Sequence, residues 1–378
     1  MAWLTVLQIV LVLVVMVYFG SNLLHLARVR PAAAPLPRMP FVSVCVPARN
    51  EERDLEACLT SLLNQDYPDY EVIVVDDHST DRTPEIIQAL KAKHPNLKTI
   101  HSASLPEGWY GKPFALHQAS QQAKGTLLLF TDADPVFEPH ALASAVHFMQ
   151  LRRLDMVTLM PRALFGSFWE RAVQPIVFGL IAGLSRFRRI NDPNDAHAMG
   201  FGAFILVTRD LYRKMGGHEA VRARILEDIS LARVAKQHGG KMIAADGKRL
   251  FSIRMYHSFR EIWEGWRKNV FLAFKQSIPK TVYYAAMILG FTVTPWLLLL
   301  CNALLDSADW VQALSTVALL LVLFTEVSLC EELGLTGWTI WILPLGGVVV
   351  VGILVNSMIH VLFKKQSMWR GRRYAHPT

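Results

Sequence analysis

The chain lacks the glycine loops on which most nucleotide-hydrolysing and dinucleotide-dependent proteins depend. Neither GxxxxGK[ST] nor GxGxxG occurs in its 378 residues, so neither of those phosphate cradles is available. Cysteine is scarce: there are four, none in CxxC spacing, which argues against a thiolate zinc site or a disulfide framework. Cys45 lies in a strand-like run, Cys58 in a helix-like run, and Cys301 and Cys330 in long apolar stretches; reduced, buried thiols are expected of them. No basic-aromatic array of the RNA-binding kind is present, and no internal repeat. Charge is also sparse, at 19% of residues against 52% hydrophobic, with a mean hydropathy of +0.27. That is too apolar for an ordinary soluble protein and too charged for a pure membrane bundle. A soluble domain framed by spanning segments fits both numbers.

The positions of the basic residues say more than the net charge of +8. Arg28, Arg30 and Arg38 follow one apolar run; Lys364, Lys365, Arg370, Arg372 and Arg373 follow another. Cations at the ends of apolar segments suit anionic headgroups and the cytosolic side of a membrane. Residues 2–27 carry no acid or base before His25 and are long enough to cross about 30 Å of hydrocarbon. The run exceeds a signal peptide's apolar region, and no cation precedes it. We therefore expect a transmembrane anchor at 1–28, a Pro-rich linker at 29–40 and a cytosolic domain beyond it.

Three further apolar stretches, 283–305, 311–330 and 338–363, are expected to form C-terminal transmembrane segments within 281–363. Glu326, Glu331 and Glu332 interrupt or end the second, and Pro344, Gly346 and Gly347 are expected to break the third. Three full crossings after a cytosolic domain would put the C-terminus outside, whereas the basic tail at 364–378 argues for inside. A re-entrant, interfacial or split stretch would reconcile the two. Just before them, residues 257–280 alternate aromatic and basic side chains at helical spacing and read as an interfacial amphipathic helix. Residues 169–184 are apolar but short, and suit the interface or a core better than a crossing.

Between these segments, 41–256 reads as an α/β domain. Strand patterns at 41–46, 71–75, 97–101 and 127–131 alternate with helix patterns at 55–63, 84–93 and 113–123. This alternation implies a mostly parallel sheet covered by helices, whose ligand lies beyond the carboxyl ends of the strands. Arg49, Glu51, Asp76, Asp77, Asp132 and Asp134 all fall at those ends. The second half is less regular, with a strand pattern at 201–207 and a helix at 227–237.

Four motifs carry the chemistry. Asp132-Ala133-Asp134 places two carboxylates one residue apart after an apolar strand; such a pair can hold a divalent cation that neutralises a diphosphate, although Asp is also common in solvated turns. Asp76-Asp77 can accept hydrogen bonds from a nucleobase or a ribose, while Ser79, Thr80 or Asp81 caps the next helix. Glu227 and Asp228 are candidates for a base that takes the proton of an acceptor; acids at a helix N-terminus also answer to the macrodipole. Lys112, at a helix start, can pair with phosphate or a base carbonyl or simply face solvent. Gly200 and Gly202 let the chain pass close to a ligand or serve an ordinary turn. His218 is a ligand candidate that suits a structural role better, and Gly179 with Gly183 suits helix packing.

Taken in order, Val44-Cys45-Val46-Pro47-Ala48-Arg49-Asn50-Glu51, Val74-Val75-Asp76-Asp77-His78-Ser79, Gly111-Lys112, Asp132-Ala133-Asp134 and Glu227-Asp228 resemble inverting family-2 glycosyltransferases of the GT-A fold. Within that family, Leu105-Pro106-Glu107-Gly108-Trp109, Gly216-Gly217-His218-Glu219-Ala220-Val221-Arg222 and Trp369-Arg370-Gly371-Arg372 are similar to carotenoid-acid (diaponeurosporenoate-type) and hopanoid-associated enzymes. The resemblance implies a donor site around Pro47, Arg49, Glu51, Asp76, Asp77, Lys112 and Asp132. It implies Mg2+ or Mn2+ on Asp134 with Asp132, and Asp228 as the base, with Glu227 beside it. Processive relatives carry Gln-x-x-Arg-Trp; here the stretch reads Trp263-Glu264-Gly265-Trp266-Arg267, which points to single-sugar transfer and leaves Gly202, Trp266 and Arg267 as acceptor-site candidates. The expectation is a membrane-bound enzyme, in a bacterial cell membrane with its catalytic domain cytosolic. It would move one sugar from a nucleotide-sugar, a UDP-sugar by resemblance, to a lipid, carotenoid or hopanoid-like acceptor, with no nucleic acid partner. The rival is a membrane scaffold or transport component whose nucleotide-binding domain turns nothing over.

Overall fold

The structure is a computed structural model and describes residues 2–31, 39–364, 366–369 and 372–375. Most of the Pro-rich linker (32–38) lies outside the described residues. So do Lys365, Arg370 and Gly371 of the basic tail and the side chains of Lys364, Arg372 and Arg373. The chain divides into two compact units: a sheet unit of His25–Leu164 and Phe187–Met255, and a helical unit built from the N-terminal helix, Phe165–Arg186 and the chain from Tyr256 onward. The expected boundaries 41–256 differ from this in two places. The chain enters the sheet before the linker, through Ala27–Arg28, and the excursion Phe165–Arg186 leaves the sheet unit altogether.

The sheet unit contains eleven strands among the described residues: β1 (Ala27–Arg28), β2 (Val42–Ala48), β3 (Tyr70–Asp76), β4 (Leu97–His101), β5 (Leu127–Phe130), β6 (Val136–Phe137), β7 (Met156–Met160), β8 (Arg162–Ala163), β9 (Ile205–Thr208), β10 (Met242–Asp246) and β11 (Phe251–Ile253). Eight of them form the main sheet in the order β1-β10-β7-β9-β5-β2-β3-β4. Only β9 runs antiparallel to its neighbours β5 and β7; the other pairs are parallel. A second, three-stranded sheet has the order β6-β11-β8.

Helices cover both faces of the main sheet, which is why β2 and β3 read as continuous apolar runs and not as alternations. On one face Val44, Val46, Val72, Val74 and Leu129 pack with Leu55, Leu59 and Leu62; on the other Cys45, Ile73, Val75, Leu128 and Phe130 pack with Ala115, Leu116 and Ala119. Burying each large aliphatic side chain contributes roughly 1.5–3 kcal/mol. Ser43, caught in this core, is satisfied: its Oγ donates to Glu71 Oε1 at 2.7 Å and accepts from Gly125 N at 2.8 Å. Gly125 is required there, since a Cβ would lie 2.5 Å from Ser43 N. The expected strand at 201–207 begins only at Ile205. Residues 200–204 form a loop, because Gly200 lies against another backbone.

Among the described residues, the helical unit holds three helices long and apolar enough to cross a membrane, Ala2–Leu24, Asp309–Glu332 and Gly337–Phe363. A fourth apolar segment, Ile278–Thr292 plus Thr294–Leu304, is bent by 53°. The break falls here and not at Pro344. Pro344 occupies the first turn of the helix Leu343–Lys364, where its missing N–H costs nothing. Gly346 and Gly347 are contact points and not breakers: a Cβ on Gly346 would meet Ala172 O at 1.8 Å, and one on Gly347 would meet Thr292 Oγ1 at 2.1 Å. Glu326 does not interrupt its helix; it is buried within Asp309–Glu332.

Buried polar side chains link the segments, with Asn302 Nδ2 donating to Ser315 Oγ at 2.6 Å and Gln8 Nε2 to Gly290 O at 2.8 Å. In apolar surroundings such bonds and close glycine contacts are what hold helices together. Gly179 and Gly183 serve as expected, against Leu329 and Phe19. The amphipathic stretch forms the helix Phe259–Ala273, capped by Ser258 Oγ accepting from Glu261 N.

Candidate active site at the carboxyl rim of the sheet

The loops after β2 and β3 interlock. Asp77 N donates to Ala48 O at 2.8 Å, and the Arg49 guanidinium donates to Asp77 O. Asn50 N reaches Ser79 Oγ at 3.0 Å, Thr80 N reaches Asn50 Oδ1 at 2.8 Å, and Glu51 N reaches Thr83 Oγ1 at 2.8 Å. Asn50 and His78 both hold positive φ, 53° and 55°, a conformation Asn and His tolerate better than most residues. Asp81 Oδ1 accepts from Thr83 N and so serves the helix that follows. Asp76 is 8% exposed and Asp77 4%. Asp76 is largely spent on its own loop, accepting from Ser79 N at 3.1 Å and facing His101 Nδ1 at 3.4 Å. Pro47 lies inside β2, opposite Val75.

The densest chemistry lies past β5. Lys112 opens the helix Gly111–Gln122 and points its Nζ between two acids, 2.6 Å from Asp132 Oδ1 and 2.6 Å from Glu227 Oε1. Burial opposes its charge, but Asp132, Glu227 and Asp228 together outweigh that and hold the ammonium well above its ordinary pKa. Asp228, in the first turn of the helix Glu227–Gln237, accepts from Gly202 N through Oδ2 at 3.0 Å and from Ile229 N through Oδ1 at 2.8 Å. Burial pushes its carboxyl up to about 7; the neighbouring Glu227 adds to this and Lys112 works against it. Each of the two oxygens retains lone-pair capacity beyond the bond it accepts.

Two glycines make the gathering possible. A Cβ on Gly202 would lie 3.0 Å from Lys112 Nζ, 3.3 Å from Asp228 Oδ2 and 3.5 Å from Asp132 Oδ2. Gly202 therefore marks the point on which the lysine and two carboxylates converge. A Cβ on Gly200 would lie 2.2 Å from Asp228 O, so this loop lies backbone-to-backbone on the helix that carries Asp228. Neither the three-way convergence on Lys112 nor the role of Gly200 is readable from spacing, because the partners are far apart in the chain.

Asp134 is placed by its effect on Cys58. That thiol is buried, which raises its pKa; Asp134, Glu51 and Asp132 raise it further, in that order. Cys58 Sγ also points at Asp132 O, 3.7 Å away. Glu51 and the two aspartates thus share one neighbourhood. Among the described residues no group of three or more His, Cys, Asp and Glu side chains is arranged to hold a metal. The donor chemistry nevertheless fits a hard divalent cation, which is commonly held by one or two carboxylates with the remaining ligands supplied by phosphate and water. Asp132 and Asp134 are the carboxylates that would offer oxygens to such a cation, with Lys112 bound to Asp132 beside them.

The remaining candidates have the following surroundings. His218 is 1% exposed, bonds Tyr212 OH at 2.8 Å and packs edge-on against Phe130; burial drives its pKa down to about 3, and its place is structural. Trp266 and Arg267 belong to the helical unit: Trp266 is 7% exposed and packs against Tyr256, while Arg267 O accepts from Ser357 Oγ at 2.6 Å. All four cysteines are free; Cys45, Cys58 and Cys330 are buried and Cys301 partly so.

A mostly parallel sheet with helices on both faces and acids at its carboxyl rim is the architecture of GT-A glycosyltransferases. Residues 43–216 match the model of glycosyl transferase family 2. The chain is 27% identical over 232 residues to the 4,4'-diaponeurosporenoate glycosyltransferase of Staphylococcus haemolyticus, and 26% identical over 234 residues to that of Staphylococcus aureus. These matches cover 61% of this chain and about 60% of the relatives' length. Among solved structures it resembles the mannosyltransferase PcManGT of Pyrobaculum calidifontis, solved with GDP-Man and Mn2+. The TM-score is 0.54 and the identity 19%, over 95% of this chain and 99% of that one. At this identity the likeness speaks for the fold.

Proposed function

We propose that the chain is a membrane-bound, inverting glycosyltransferase that moves one sugar from a nucleotide-sugar to a lipid-like acceptor. The observation that carries this reading is the convergence of Lys112, Asp132 and Asp228 on Gly202. In this account the loops of Arg49, Glu51, Asp76 and Asp77 receive the nucleoside, with uridine the expected base, and Lys112 turns from Asp132 towards the donor's diphosphate. Asp134 and Asp132 would hold Mg2+ or Mn2+, whose charge offsets that of the diphosphate as it leaves. Asp228 takes the proton from the acceptor's O–H. The oxygen forms its bond to the anomeric carbon from the face opposite the diphosphate, the bond to the diphosphate breaks, and the configuration inverts. A base close to neutrality suits this step, and Asp228 is held there by burial and by Glu227.

The acceptor class rests on the apolar helices and on the relatives' name. We place the sheet unit in the cytosol, at a bacterial cell membrane. If the bent segment Ile278–Leu304 re-enters on its own side, the crossings at Asp309–Glu332 and Gly337–Phe363 return the basic tail to the cytosol, as its charge requires. The test is comparative lipid mass spectrometry of cells with and without the gene, joined to release of nucleoside diphosphate by the purified chain. A hexose-bearing lipid that disappears with the gene supports the reading; no glycolipid difference and no turnover would leave the scaffold.

A further inference from the structure

Lys236 lies two turns beyond Asp228 on the same helix. Its Nζ donates to four backbone carbonyls: Asp192 O and Asp195 O at 2.8 Å, His197 O at 2.9 Å and Arg189 O at 3.2 Å. An ammonium has three protons, so its donors are fully taken up, and all of them by main chain. The Asp195 carboxylate is occupied by Arg189, through Nε at 2.7 Å and Nη2 at 3.1 Å, and by His197 N at 2.7 Å.

Arg189 O belongs to the short helix Phe187–Ile190, and the other three carbonyls to the irregular stretch that leads from it to β9. Its first residue is pinned to β10, where Ala244 N donates to Asn191 Oδ1 at 2.8 Å. Its far end is pinned to β7, where Phe201 N donates to Thr158 Oγ1 at 2.7 Å. Between those two points the backbone turns around one charged nitrogen. Gly200 then lies on the Asp228 carbonyl, and Gly202 N holds Asp228 Oδ2. An exposed lysine is ordinarily a solvated charge; here a half-buried one gathers four main-chain acceptors.

We propose that Lys236 is a positioning residue for sugar transfer: by drawing the carbonyls of residues 189–197 around its ammonium, it presses the Gly200-Phe201-Gly202 loop onto the first turn of its own helix and so fixes the Asp228 carboxylate. This rests on the function proposed above. It assigns the second tether of that loop to the helix that carries the base, so base and loop move as one piece.

The test uses the full chain in detergent, as wild type and as Lys236→Met, which keeps most of the aliphatic stem and removes the donors. Hydrogen exchange read peptide by peptide should speed up about tenfold across 189–204 and stay unchanged in β2 and β3. In turnover, kcat should fall about tenfold while the donor KM stays within about twofold. Should Lys236→Met not fold, Lys236→Gln, whose amide retains two donors, is read the same way, with smaller changes in the same direction. Unchanged exchange across 189–204, uniformly faster exchange over the whole sheet, or local loosening with an unchanged kcat would each overturn the proposal. If the wild type transfers no sugar at all, the functional reading fails, while the exchange data still decide whether Lys236 holds the loop.

Discussion

Gly202 donates its backbone N–H to Oδ2 of Asp228 at 3.0 Å, and a Cβ at that glycine would press on Lys112 Nζ and Asp228 Oδ2 and touch Asp132 Oδ2. One loop therefore both orients the candidate base and leaves room for what it acts on.

Gly202→Ala tests this directly. The added methyl would lie 3.0 Å from Lys112 Nζ and 3.3 Å from Asp228 Oδ2, tighter than carbon normally approaches either. Transfer, followed as release of nucleoside diphosphate, should drop by about a hundredfold or more, with the melting temperature little changed. Wild-type turnover would mean that the reacting atoms lie elsewhere.

The pH profile follows from Asp228. A base must be unprotonated to accept a proton, and burial with Glu227 holds this carboxyl up to about 7. The acidic limb of kcat/KM should therefore rise through about pH 7. Glu227→Gln removes the charge that raises Asp228 and should move that limb to lower pH. The same shift acts on stability. Between the ordinary value of 3.8 and about 7, the folded chain keeps a proton that the unfolded chain releases, so this group's contribution falls as pH rises through that window.

Lys112 binds two acids that lie close together in space. Lys112→Met would leave Glu227, 6% exposed, and Asp132 facing each other without a cation. Urea unfolding should show a loss of about 1–3 kcal/mol at neutral pH. Lys112→Met with Glu227→Gln should recover part of it, because the repulsion then disappears. Equal losses in the single and double variants would contradict the ion-pair account.

Gly346→Leu addresses the helical unit. Any side chain there meets Ala172 O, so the variant should unfold in detergent at lower temperature, with a loss of about 1–3 kcal/mol or more. Unaltered stability would imply that the helix Leu343–Lys364 packs differently.

What was legible in the sequence follows a physical division. Strand-end acids were legible because buried parallel strands leave unbroken apolar runs, and Asp76, Asp77 and Asp132 stand where those runs stop. The helices Leu55–Leu63 and Glu227–Gln237 matched their expected bounds. The start of β9 was hidden, because Gly200 and Gly202 answer to a backbone contact with Asp228 that no local pattern encodes. Pro344 was misjudged because proline breaks a helix interior but suits its first turn. Lys112 reads as readily as a solvent-facing lysine from its local sequence, since its partners Asp132 and Glu227 are set by topology alone.

The central claim is that the rim acids grip a donor diphosphate through a cation while Asp228 supplies the base. Calorimetric titration of UDP in the presence and absence of Mn2+, on the wild type, Asp134→Ala and Asp228→Asn, tests both halves when joined to a transfer assay on the same samples. The account predicts that Asp228→Asn binds UDP with Mn2+ about as tightly as the wild type yet transfers at least about a hundredfold more slowly, and that Asp134→Ala loses the Mn2+-dependent part of binding. UDP binding indifferent to Mn2+ in the wild type, or wild-type transfer by Asp228→Asn, would contradict it.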